Sequence, residues 1–150
     1  MAPALVASDP GALLPSVRIS MKTFFLVTIP RVLLGVIFLI SAVDGFWWLA
    51  TGANLIHPPT SPRGVVFETA LQDSGFIWPF IKAINLTGAL SLISNVVPAF
   101  GLALIAPVMA VIVLFHATIN PQGLPVAVIL VVLGSMLVWA YRDRYAALFR

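Results

Sequence analysis

The chain has 150 residues, 61% of them hydrophobic and 9% charged, with a formal net charge of +3 and a mean hydropathy of +1.08. Soluble domains carry about 25% charged residues, so this composition excludes an ordinary soluble fold. The basic residues are too few and too scattered for a nucleic-acid surface, and with no cysteine the chain itself offers no disulfide, thiolate metal site or iron–sulfur cluster.

Residues 1–20, MAPALVASDPGALLPSVRIS, are rich in Ala and Pro and too weakly apolar to span a membrane. They read as a flexible or interfacial segment, and Met21-Lys22-Thr23-Phe24 reads as an alternative start. The first apolar run covers about 24–47 and contains Pro30 early on. It is too long for a signal peptide and lacks a small-residue cleavage site after it, so it reads as an uncleaved anchor. Trp47 and Trp48 close this run at the interface, where indole rings favour the headgroup level. The loop 49–75 holds the turn signals His57-Pro58-Pro59 and Ser61-Pro62-Arg63-Gly64. Within it, residues 65–75 have apolar positions at helical spacing and are expected to lie along the membrane surface. Trp78 and Pro79 open the second run, 76–97. A tight turn at 95–99 leads to the third, 100–119. Asn120-Pro121-Gln122-Gly123 turns the chain into the fourth, 125–141, which ends on Trp139 and Tyr141.

At ~1.5 Å per residue, about 20 residues cross the ~30 Å hydrocarbon core, and backbone in lipid must satisfy its own hydrogen bonds. Four helices are therefore predicted. Short connections set neighbours antiparallel, which gives an all-α, membrane-embedded up-down four-helix bundle occupying 21–150. Arg18 and Lys22 precede the first run, and Arg142, Arg144 and Arg150 follow the fourth. The long loop has only Arg63, beside Glu68 and Asp73. Cations mark the cytoplasmic side, so both termini are expected inside.

Ionisable residues at membrane depth are functional hypotheses by default. On this topology Asp44 lies about one turn from the outer end of the first span. Lys82 is ~9 Å in from the outer end of the second, and Asn85 is one turn deeper on the same face. His116 sits near the outer end of the third span, with Asn120 four residues on. These five residues form a candidate outer polar pocket in which Asp44 is the expected counter-ion of Lys82. The alternative is a set of interfacial polar groups, with Lys82 snorkelling to the headgroups. Arg31, in the inner half of the first span, is ~20 Å along the axis from Asp44. It reads as a structural or lipid anchor, like Trp47, Trp48, Trp78 and Trp139, with Asp143 or an anionic lipid as its partner. A haem or chlorin on His116 would have only His57, in the loop, as a second histidine. A metal site from His116, His57, Glu68 and Asp73 lacks a spacing signature.

The run R31VLLGVIFLISAVDG45, the stretch from Gly75 through Trp78-Pro79 to Lys82, and N85LTGALSLI93 together resemble the DoxX-like family of small membrane proteins. L114FHATINPQGLP125 and W139AYRDRY145 extend the likeness over about 31–145. The family's second helix commonly carries an acidic residue and a glycine pair where this chain has Asn85, Gly88 and Ala89. The resemblance implies a four-helix membrane protein, either an accessory subunit of a membrane redox complex linked to quinone or a scaffold or assembly chaperone. A quinone would meet His116, Lys82 or Asn85 in the outer layer and apolar walls elsewhere. A scaffold would use small residues such as Gly35, Gly88, Gly101 and Gly134 for close helix contact. Other membrane subunits and lipids are the expected partners, in a bacterial inner membrane.

Overall fold

The computed structural model describes residues 21–147, and all regular structure among them is helical. The expectations for residues 1–20, for Arg150 and for the Lys22 side chain lie outside what is described. Four helices are long and apolar enough to cross a membrane. The first, α1 (Phe24–Thr51), opens with a π-helical stretch, Phe24–Thr28, and continues as α-helix over Ile29–Thr51. Next come α2 (Pro62–Asp73), α3 (Ile77–Ser94) and α4 (Pro98–Thr118). A 3-10 turn, Pro121–Gly123, then leads into α5 (Leu124–Ala146).

The two largest differences from the sequence expectation are C-terminal extensions, for separate reasons. α1 continues past Trp47 until Gly52, whose φ of 75° takes the left-handed region and lets its N–H donate to Trp48 O at 2.7 Å. α5 continues past Tyr141 because Arg142 and Arg144 are good helix formers. The drop in hydropathy there marks a change of environment, not the end of the helix. Prolines sit in the first turn of α2, α4 and α5, where no intrahelical N–H is lost. Between α3 and α4 the chain turns through Asn95 (φ 61°) and Val97 (φ 44°). Ser91 Oγ lies 2.7 Å from Val96 O and 3.0 Å from Val97 O, within reach to donate to either carbonyl.

α1 packs against α3 and α5, and α4 packs against the same two helices. Leu34 and Phe38 from α1, Ala89 and Leu92 from α3, Leu102 and Ile105 from α4, and Leu130 and Leu137 from α5 fill the centre. Small residues set the spacing. A Cβ on Gly88 would collide with Ile105 and come within 3.1 Å of Gly101 O, and one on Gly35 would stand 2.7 Å from Ile93. The residues expected to serve close helix contact thus meet neighbours of the same chain. Large apolar side chains such as Leu33, Val43, Phe80, Leu114 and Val128 point outward, as lipid contact requires.

The polar contacts gather at two ends. At one, here the loop end, Trp48 meets Trp78 edge-on with centroids 6.0 Å apart, and Phe67 of α2 lies on Phe115 of α4 at 5.4 Å. At the far end, Tyr145 Oη donates to Ala99 O at 2.7 Å. Arg31 is buried there, and its Nη1 donates to Leu92 O and, at 3.3 Å, to Ile93 O. The expected partners of Arg31 were Asp143 or a lipid headgroup. It instead satisfies carbonyls in the last turn of α3, while Asp143 pairs with Arg142 at 3.8 Å.

Candidate functional site

Lys82 and Asn85 point from α3 to the same partner on α1. Lys82 Nζ donates to Ser41 Oγ at 3.2 Å, and Asn85 Nδ2 donates to the same oxygen at 3.2 Å. Both residues are buried, Lys82 at 7% exposure and Asn85 at 1%. The ammonium also stands 4.1 Å from the centroid of the Trp78 ring, a cation–π distance. Gly45, one turn beyond Ser41, makes room for the lysine: a Cβ there would overlap the Cγ, Cδ and Cε of Lys82. The stem is thus held inside, against α1, rather than extended along the lipid face.

The trio is incompletely paired. Asn85 Oδ1 and Trp78 Nε1 are buried polar atoms with no hydrogen-bond partner among the described residues. A buried acceptor left unmade costs about 1–3 kcal/mol, so such atoms call for an explanation. One buried carbonyl acceptor, one indole donor and the remaining ammonium protons can together serve a guest that both accepts and donates.

The other expected site residues are engaged elsewhere. Asp44 is not the ion-pair partner of Lys82. Its Oδ1 accepts from the N–H groups of Leu55 (2.7 Å) and Ile56 (3.0 Å), and its Oδ2 accepts from Asn54 Nδ2 at 3.0 Å. The carboxylate therefore ties the 52–61 segment to α1. Among the described residues, no carboxylate lies within ion-pair distance of Lys82. Asn120, 3% exposed, accepts from Ser61 N–H at 3.0 Å and donates to Pro59 O at 3.3 Å. Ser61 Oγ donates to Ile119 O at 2.8 Å and accepts from Gly64 N–H at 3.1 Å, capping α2. These bonds seat α2 on the end of α4. His116 Nδ1 lies 3.2 Å from Asn120 O, and its ring lies against Gly123. His57 is exposed. No group of three or more His, Asp or Glu is arranged to hold a metal ion among the described residues. Of the anchoring tryptophans, Trp48 and Trp78 pack together, Trp47 is exposed, and Trp139 is exposed beneath the Arg142 guanidinium.

Two participants lie outside the sequence-derived set, Ser41 and Gly45. Ser41 and Gly45 are spaced i, i+4 on α1, so they share a face that can oppose the i, i+3 pair Lys82 and Asn85. That spacing was the available signal. Glu68 is half-buried and faces a mixed field. Burial raises its carboxyl above the ordinary value of 4.5, the Lys82 and His116 charges oppose that rise, and Asp44 adds to it.

Comparison with protein-family models, with curated proteins and with solved structures gives no match.

Proposed function

We infer that this chain is a non-catalytic accessory subunit of a larger membrane complex linked to the quinone pool. In this reading it is an up-down four-helix bundle of the DoxX-like kind, with both termini on the cytoplasmic side of a bacterial inner membrane. The reading rests on the Ser41–Lys82–Asn85 trio, above all on an Asn85 carbonyl oxygen and an ammonium that find, among the described residues, no hydrogen-bond donor and no carboxylate within ion-pair distance respectively. A quinone carbonyl would accept from Lys82 Nζ–H, and a quinol hydroxyl would donate to Asn85 Oδ1. Both redox forms then find a partner among the same side chains. The chain has no thiol to hold an iron–sulfur cluster, and in this reading the redox centres belong to partner subunits. The resemblance along 31–145 supports the same class. The alternative is a scaffold without a ligand. It is less well supported, because Gly35, Gly88 and Gly101 are already covered by neighbours within the chain.

Trp48 and Trp78 provide the test. Purified protein in nanodiscs is titrated with a short-chain ubiquinone while tryptophan emission is followed. Saturable quenching is expected, and it should be lost in Lys82→Leu and Asn85→Leu variants. Quenching that is linear and unchanged in both variants would reject the quinone site. Native co-purification in mild detergent tests the accessory role separately, and a chain that always emerges alone would reject it.

A further inference from the structure

A second feature lies on the outer side of α4 and α5, away from the α1–α3 seam that holds the trio, and does not depend on it. α4 and α5 part on their outer side to leave an almost wholly apolar groove. Ala106 and Ala110 of α4 and Gly134 and Ser135 of α5 form its floor because they are short. Leu114, Val131, Val138 and Trp139 are the taller side chains around it. Along α5 the groove runs from Val131 to Arg142, which at 1.5 Å per residue is about 16 Å. That length matches one leaflet of a bilayer, about half of the ~30 Å hydrocarbon core.

One end of the groove is charged and the rest is not. Arg142 closes it, with its guanidinium carbon 4.6 Å from the Trp139 ring centroid. Its only carboxylate neighbour among the described residues is Asp143, 3.8 Å from Nε, with the two side chains 57% and 93% exposed. A solvated pair at that separation contributes little and leaves the planar fork of N–H donors available. Arg144 instead lies over the Tyr141 ring, 5.5 Å away, and does not line the groove.

We propose that this groove holds one acyl chain of an anionic phospholipid whose phosphate is bound by Arg142. The apolar trough takes the alkyl chain, Trp139 stands at the level of the glycerol backbone, and the guanidinium takes the phosphate oxygens in bidentate fashion. A zwitterionic lipid brings the same chain but sets a cation of its own beside the Arg142 guanidinium. Selection therefore falls on headgroup charge.

The experiment is native mass spectrometry of protein extracted from nanodiscs of phosphatidylcholine containing a minority of phosphatidylglycerol. One phosphatidylglycerol should be retained in excess over its share of the bilayer. Arg142→Gln should cut that retention about tenfold, the effect of one lost charge-assisted contact. Arg144→Gln should leave most of it. Ala110→Phe fills the trough and should expel the lipid even with Arg142 intact. Arg142 is exposed, stacked on the exposed Trp139 ring and outside the core, so its variant decides the matter if Ala110→Phe fails to fold. Retention of phosphatidylcholine in proportion to its abundance would overturn the proposal, as would phosphatidylglycerol retention unaffected by Arg142→Gln.

Discussion

Asn85 spends an amide in an apolar interior and recovers one hydrogen bond for it. Replacing it with Leu removes an unmet acceptor and keeps the volume, so the variant should be more stable than the parent by about 1 kcal/mol, read as a higher unfolding midpoint. A lower midpoint would mean that Asn85 Oδ1 is satisfied by something ordered, such as a water, and serves packing. Glu68 makes a second prediction at the same scale. Its folded pKa lies above its ordinary value, so between the two the native state binds more protons than the unfolded one. Stability is then lost as pH rises through that window and is fully present below 4.5. Glu68→Gln should raise the melting temperature at neutral pH, with the gain closing as pH falls below 4.5, the reverse of the usual paired carboxylate. A gain that persists in acid would point to a cause other than titration.

At the scale of elements, α2 is held mainly through Ser61, Asn120 and the Phe67–Phe115 contact. Asn120→Ala strips two hydrogen bonds from the segment leading into α2 and should cost about 1–3 kcal/mol. Hydrogen exchange should report this as faster amide exchange in 59–73, with α1 and α3 unchanged. The helices themselves were legible in the sequence because lipid-facing and core-facing positions are both apolar, so four runs stand out without any subtlety of periodicity. The roles of Asp44 and Asn120 were not legible. Both bind backbone groups in an irregular segment, and no spacing rule says where a loop N–H will come to rest. Charge complementarity points Lys82 to Asp44, whereas the loop amides take that carboxylate. Arg31 misled for the same reason: its partners are carbonyls, which carry no side-chain signature.

For the whole molecule, packing without a hydrophobic driving force depends on how closely helices approach. Gly88 and Gly101 bring α3 and α4 together where a Cβ on Gly88 would strike Ile105. Gly88→Val should separate the two helices and lower stability by about 1–3 kcal/mol, measured by steric trapping or denaturant in micelles. The cost should be much smaller for Ala at Ser135, which lies exposed in the outer groove.

The buried Arg31 also bears on how the chain is made. α1 leaves the ribosome ahead of α3, carrying a guanidinium about 10 Å inside the apolar segment that begins at Phe24. Placing an arginine at the centre of a bilayer costs about 2.5–3.5 kcal/mol during insertion. The carbonyls that receive it, Leu92 and Ile93, are synthesised some sixty residues later. Until they arrive, α1 has reason to linger at the translocon or tilt its arginine toward water. Insertion and assembly are thereby linked: α1 settles only when α3 is nearly complete.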